Sequence, residues 1–258
     1  MDAVLLKKEG PVAWITLNRP GKRNALSMEL MKAFRKTLER IETDEAIRVA
    51  VVKGNGPAFC AGHDLKELVG TDYDLHHFRA IFQECTLLME GLQRLPQPVI
   101  AQVHGIATAA GCQLVAACDL SVAESGARFA TPGVKIGLFC STPMVPLARV
   151  IGRRRTLDML LTGRFISAEE AKTFGLVNRV TTPEALETET RAFAMEIAQF
   201  SRFTLSFGKK AFYRQMDMPE ATAYDDAKET IAMNCLAEDA QEGMRAFLEK
   251  RPPIWKDQ

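Results

Sequence analysis

Two stretches of small residues stand where a strand gives way to a helix, and each can aim backbone N–H groups at a negative charge. The first is His104-Gly105-Ile106-Ala107-Thr108-Ala109-Ala110-Gly111-Cys112-Gln113-Leu114. An apolar run, Pro98-Val99-Ile100-Ala101-Gln102-Val103, feeds into it, and residues 112–118 continue it as an apolar helix. The first N–H groups of a helix have no partner within it, and the helix dipole favours negative charge beside them. Such a turn can hold a phosphate, or an oxyanion that develops during a reaction. Small residues at this junction equally serve close helix–strand packing, and the stretch alone fits both uses. The second is Gly54-Asn55-Gly56-Pro57-Ala58-Phe59-Cys60-Ala61-Gly62-His63-Asp64-Leu65-Lys66-Glu67, after the strand Val49-Ala50-Val51-Val52. Two converging turns would place two N–H donors on one oxygen, the arrangement that acyl-transfer or enolate chemistry requires.

Other chemistries find less support. The six cysteines (Cys60, Cys85, Cys112, Cys118, Cys140, Cys235) have apolar or small neighbours and form no CxxC pair. They read as core or site-lining thiols of a reducing compartment, not as a disulfide framework. The four histidines do not combine with them at zinc spacing, so no metal site is expected. A formal net charge of +1 argues against a nucleic-acid or membrane surface. No signal peptide or spanning segment is visible, which points to the cytoplasm, or to the mitochondrial matrix if a targeting segment has been removed.

The elements that must position the two turns follow from periodicity. With 47% hydrophobic residues in 258, the chain can bury a substantial core. Residues 12–17 read as a strand, 18–24 as a cationic turn, and 27–42 as an amphipathic helix. A strand over 49–53, a polar loop over 72–77 and a helix from Phe78 to Leu95, stopped by Pro96, come next. After the first turn, short strands are expected over 120–123 and 127–130, then a glycine-containing loop over 132–143 and a helix near Val145. Ser167 and Glu170 form a capping box for a helix ending near Gly175. A strand over 176–180 and a helix starting at Pro183 lead into an almost wholly helical remainder. This is an α/β core followed by an α-helical C-terminal region.

From end to end the chain resembles the enoyl-CoA hydratase/isomerase (crotonase) superfamily. The resemblance is carried by Ile15-Thr16-Leu17-Asn18-Arg19-Pro20 with Asn24-Ala25-Leu26, by Phe59-Cys60-Ala61-Gly62-His63-Asp64-Leu65, and by Pro98 through Gly105 to Asp119. Phe129-Ala130-Thr131-Pro132, Leu161-Thr162-Gly163, Ala168 through Ala171 to Gly175-Leu176-Val177, and Glu238-Asp239 through Glu242-Gly243 to Lys250-Arg251 extend it. It implies a spiral of ββα units over residues 1–195 and a helical oligomerisation region over 196–258, assembled as a homotrimer or a dimer of trimers. It implies an acyl-CoA thioester as substrate, with no separate cofactor. Carried over, the N–H groups of His63 and Ala110 would cradle the thioester oxygen. Ala61, Asp64, Leu65 and Lys66 would line the adenine and pantetheine region, and Arg19, Arg23 and Lys250 would meet the CoA phosphates.

The departures concern the acid–base groups. Hydratases of the family handle a water with two glutamates, and the corresponding positions here hold Gln113 and Gly133. Gln113 can orient a water but cannot take its proton, and Gly133 offers no side chain. Losing two such groups, each worth roughly 10²–10⁴-fold, weighs against efficient enoyl-CoA hydration; restoring both glutamates should then raise it. His63, Gln113, Cys140, Ser141 and Thr142 remain as polar candidates. His63 within Ala-Gly-His-Asp is similar to the matching stretch of the superfamily's methylmalonyl-CoA decarboxylases, although Cys140 or a neighbour stands where those carry a tyrosine. The ring also reads as a bystander beside its own N–H, and Ser141 and Thr142 as a turn. Decarboxylation, thioester hydrolysis and non-catalytic acyl-CoA binding all stay open.

Overall fold

The computed structural model describes residues 2–70 and 74–258. Strand β1 (Val4–Glu9) turns at Gly10, in the left-handed region at φ 59°, and pairs antiparallel with β2 (Val12–Leu17). From β2 the large sheet continues in parallel through β3 (Val49–Gly54), β4 (Val99–Val103), β6 (Leu120–Glu124) and β9 (Arg179–Thr181). Its central strands are buried on both faces, so Val49-Ala50-Val51-Val52 and Val99-Ile100-Ala101 read as unbroken apolar runs. A smaller sheet orders β5 (Ile106–Thr108), β7 (Arg128–Ala130) and β8 (Ile166–Ser167).

The chain repeats two strands and a helix. β1 and β2 precede α1 (Met28–Glu42); β4 and β5 precede α3 (Ala110–Ala117); β6 and β7 lead through a 3-10 turn over Pro132–Ile136 to α4 (Met144–Ile151). In the last two repeats the first strand joins the large sheet and the second the small one. After β3, a single bridge from Cys60 to Ala107 stands in for that second strand. The repeats therefore wind as a spiral of ββα units.

Helix α1 starts at Ser27, whose hydroxyl accepts the Leu30 N–H at 3.2 Å, and buries Leu30, Phe34, Leu38 and Ile41. It packs with α2 (Leu75–Arg94) and α3 over one face of the large sheet. Helix α7 (Leu186–Ala198) covers the other face, setting Leu186, Ala194 and Ala198 against Trp14, Val51 and Ile100. Position 195 thus lies inside a helix of the core. Beyond α5 (Arg153–Thr162) and α6 (Ala168–Phe174), helices α8 (Arg202–Gln215), α9 (Glu220–Asn234) and α10 (Glu238–Leu248) complete the chain. Lys209 anchors α8, its Nζ donating to Asp119 Oδ2 at 2.6 Å and to the carbonyls of Leu92 and Gln97. No residue of α9 is buried.

Several boundaries differ from expectation. The loop anticipated over 72–77 is helical from Leu75, because Asp74 accepts the His76 N–H and caps α2; residues 71–73 lie outside the described residues. The strand expected over 176–180 begins only at Arg179, since the N–H groups of Leu176 and Val177 both return to the Ala171 carbonyl and close α6. Pro183 opens a turn rather than the helix itself. β1 was not anticipated, its Val-Leu-Leu-Lys-Lys-Glu sequence showing no period of two. The Ser167–Glu170 capping box is formed in both directions.

Candidate active site

The two small-residue turns meet and are laced together. Phe59 N–H donates to the His104 carbonyl, Cys60 N–H to that of Ile106, and Thr108 N–H back to that of Cys60, at 3.0–3.1 Å. Thr108 Oγ1 adds a bond to the Ala61 carbonyl at 3.1 Å. Gly111 lets α3 approach this closely: a Cβ there would lie 2.1 Å from the Cys60 carbonyl oxygen.

Past the lacing, both chains turn through left-handed backbone, Gly62 at φ 93° and Ala109 at φ 50°. They turn against each other. A Cβ on Gly62 would fall 3.0 Å from Ala109 Cβ and 3.4 Å from the Ala110 nitrogen. Glycine adopts such a φ without strain; alanine, here at ψ −119°, does so at a cost of about 1–3 kcal/mol. Ala109 is held there by its own N–H on the Ala130 carbonyl at 2.9 Å and by the Gln113 N–H on its carbonyl at 3.0 Å.

The residue after each turn supplies a donor. Leu26 donates to the Gly62 carbonyl and accepts from the Asp64 N–H, which leaves the intervening His63 N–H pointing away from Leu26. Ala110 is the first residue of α3, so its N–H has no partner within the helix. Among the described residues neither N–H donates a hydrogen bond. The arrangement suits one oxygen atom that gains negative charge.

The side chains of His63, Gln113 and Thr131 beside the two turns are neutral near pH 7. Burial pushes the His63 imidazole down to about 4, so near pH 7 the ring carries one donor and one acceptor nitrogen. Both nitrogens are buried without a hydrogen-bond partner, and the ring meets the edge of Phe82, from α2, at 5.2 Å. Gln113, one turn into α3, is 4% exposed, and its Oε1 is buried and unpartnered; so is Thr131 Oγ1 after β7.

Position 133 is closed rather than vacant. Any Cβ there would lie 2.7 Å from the Leu138 carbonyl oxygen and 2.8 Å from Cys140 Sγ. Restoring both glutamates is therefore not a simple graft, because a side chain at 133 needs the 138–140 backbone to move. Burial raises the Cys140 thiol above its ordinary pKa, which keeps it protonated near pH 7. Ser141 is exposed, and its Oγ donates to the Phe139 carbonyl at 3.2 Å, a turn bond rather than a nucleophile's contact with a base.

The residues expected to meet CoA divide. Leu65 and Lys66 are exposed at the rim just past His63, and Arg23 is exposed at φ 48° with its carbonyl accepting the Ala61 N–H. Ala61 is engaged at both its backbone groups. Arg19 and Asp64 hold each other at 3.0 Å. Partial burial pushes the Asp64 carboxyl up, but Arg19 and the Lys66 N–H outweigh it and hold the carboxyl below the usual carboxylate range. Lys250 follows α10, with its N–H on the Phe247 carbonyl; its described contacts do not bring it to the 61–66 segment. Ala109, Phe82, Thr131 and the Leu138 carbonyl were not singled out by sequence reasoning. An alanine in left-handed backbone, or a carbonyl folded over a glycine, leaves no mark in residue type.

Residues 7–258 match the family described as Enoyl-CoA hydratase/isomerase. The chain is 44% identical over 251 residues to enoyl-CoA hydratase domain-containing protein 3, mitochondrial, of Xenopus laevis, covering 97% of this chain and 85% of that one. The crystal structure of human enoyl-CoA hydratase domain-containing protein 3 superposes with a TM-score of 0.95 at 42% identity, over 98% of this chain and 100% of that one. That of an enoyl-CoA hydratase from Mycobacterium smegmatis gives 0.95 at 48% identity over 98% of each. The chain has the crotonase fold and belongs to the enoyl-CoA hydratase/isomerase family of acyl-CoA enzymes.

Proposed function

We propose that this protein binds an acyl-CoA thioester with the thioester oxygen between the N–H groups of His63 and Ala110, and stabilises the enolate or tetrahedral oxyanion formed there. The observation that carries this reading is the pair of unpartnered N–H groups that follow two left-handed turns in contact at Gly62 and Ala109. The 3′-phospho-ADP and pantetheine parts of CoA lie along Ala61, Leu65 and Lys66, with Arg23 offered to the phosphates. Asp64 acts from behind this rim by holding Arg19 and capping the Lys66 turn.

Efficient hydration is not the reaction. Gln113 is neutral and position 133 is closed by the Leu138 carbonyl and Cys140, so no carboxylate at either place takes a proton from water. Decarboxylation suits these groups better. The bond between the α-carbon and a carboxylate breaks, its electron pair enters the thioester enolate, CO2 leaves, and a solvent proton returns to the α-carbon. That step needs the oxyanion donors and a pocket of neutral groups, which His63, Gln113 and Thr131 provide. Thioester hydrolysis, with Gln113 orienting water, is the weaker use of the same donors.

A homotrimer or a dimer of trimers fits the exposed apolar side chains of α8–α10, among them Phe212, Ile231, Phe247 and Leu248. Among the described residues no helix is long and apolar enough to cross a membrane. Relatives from Xenopus laevis and Homo sapiens are named as mitochondrial, which supports the mitochondrial alternative to the cytoplasm.

The test is turnover of the purified protein on crotonyl-CoA, methylmalonyl-CoA and acetyl-CoA, with products and free CoA followed by mass. Loss of CO2 from methylmalonyl-CoA without crotonyl-CoA hydration is the expected result. Fast hydration overturns the reading of Gln113 and Gly133. Stabilisation by CoA esters with no turnover of any of them makes the protein a binder that has lost its chemistry.

A further inference from the structure

The two donor turns differ in one residue type. Gly62 precedes His63 and Ala109 precedes Ala110, both in left-handed backbone, but only Ala109 carries a side chain there. Ala109 is partly buried, and its methyl group faces the other turn. It stands against Gly62, within 3.0 Å of where a Cβ on Gly62 would be, so it occupies the space between the two peptides that carry the donors. Three constraints hold it in place: the Ala109 N–H on Ala130, the Gln113 N–H on the Ala109 carbonyl, and the Thr108 N–H on Cys60. A residue kept in a conformation that disfavours its own side chain, by bonds on every side and at the seam of a site, is positioned for what its side chain does there.

We infer that Ala109 is a positioning residue whose methyl group is the spacer between the two N–H donors, setting their separation and aim. The strained φ is the cost of placing a Cβ where a glycine would fit without strain. The spacer touches no substrate atom; it acts through the His63 and Ala110 peptides. With the methyl removed, Gly62 and residue 109 can close on each other, and the Ala110 N–H can swing with the freed backbone. Small misplacements of this kind have large consequences for a polarised carbonyl.

The inference rests on the proposed placement of a thioester oxygen between these donors, and a spectroscopic probe separates the two. The conjugated chromophore of para-dimethylaminocinnamoyl-CoA absorbs further to the red as its thioester carbonyl is polarised. Its spectrum is recorded on the unaltered protein, Ala109→Gly and Ala109→Ser, with thermal unfolding of all three and binding of free CoA.

The unaltered protein is expected to red-shift the probe. Ala109→Gly is expected to lose most of that shift and to bind the probe on the order of tenfold more weakly. Its melting temperature is expected not to fall, since the strain is relieved, and its affinity for free CoA is expected to be unchanged. Ala109→Ser, which keeps a Cβ, is expected to retain the shift. An equal shift in all three proteins overturns the spacer and leaves the donor placement standing. Loss of the shift in both variants also overturns it, because the Cβ is then not what matters. Binding of the probe to the unaltered protein without any shift, or no binding, overturns the donor placement and the spacer with it.

Discussion

Helix α3 carries both halves of the site within one turn, and the two halves are built in opposite ways. At its first residue, Ala110, the structure keeps an unpartnered N–H and surrounds it with constraints: the Cys60–Thr108 lacing, the Gly111 approach and the strained Ala109. One turn later, at Gln113, and across at Gly133, the structure keeps no ionised group; the amide is neutral and the glycine is roofed by a carbonyl and a thiol. On the proposed reading, rigid donors beside positions without a carboxylate suit chemistry that holds an oxyanion and needs no carboxylate to activate water.

The donor half is expected to be the less tolerant of change. Gly111→Ala should have the largest effect, since its Cβ would lie 2.1 Å from the Cys60 carbonyl oxygen, an atom fixed in the lacing. Forcing α3 away from the lacing should cost about 3 kcal/mol, the upper range for overpacking. The melting temperature should drop by several degrees, and binding of CoA thioesters should weaken with it. A Gly111→Ala protein of unchanged melting temperature would show that the turns are not held as tightly as their contacts indicate.

His63 sharpens the comparison because its N–H belongs to the donor half and its ring to the neutral half. Its folded-state pKa of about 4 lies below the ordinary 6.5 of an unfolded histidine. The unfolded chain therefore binds the proton more readily, and protonation favours unfolding. Stability from this group is complete above pH 6.5 and is lost as pH falls toward 4, by up to about 3 kcal/mol. His63→Asn should flatten that limb of a urea-midpoint profile between pH 6.5 and 4, with little change above it. A profile of identical slope in the variant would mean that the imidazole is solvated and not part of a dry pocket.

Much of this was legible in the sequence because it rests on residue types in order. Small residues between an apolar strand and an apolar helix announced both turns, and the absence of carboxylates at 113 and 133 was plain. The Ser167–Glu170 box marked a helix start correctly, since its chemistry is local. What escaped is what depends on backbone direction or on a distant neighbour. Asp74 caps α2 from within a stretch that reads as polar loop, and β1 is a strand only because β2 pairs with it. Gly133 reads as a missing side chain, whereas the Leu138 carbonyl and Cys140 have taken its space. Ala109 is unremarkable by type and unusual only by φ.

Position 133 gives a smaller effect that bears on function. Gly133→Ala must displace the Leu138 carbonyl or the Cys140 side chain, at about 1–2 kcal/mol, seen as a lowered unfolding midpoint. Gln113→Glu with Gly133→Glu should not become an efficient hydratase, because the second carboxylate arrives only with a disturbed loop. Crotonyl-CoA hydration rising by several orders of magnitude in a well-folded double variant would mean that the loop opens readily. The neutral half would then be a matter of side chains alone.

Ser141→Ala is expected to do least. The residue is exposed and its hydroxyl bonds only to the Phe139 carbonyl two residues back, so stability should stay within about 0.5 kcal/mol and turnover within about twofold. The measurement worth making is the ratio of free CoA released to CO2 released. Decarboxylation leaves that ratio unaltered in the variant, because the enolate forms without Ser141. A selective loss of CoA release would put the Ser141 hydroxyl at the thioester, making hydrolysis the reaction that the rigid donors serve and reopening the loop over 138–142 as part of the chemistry.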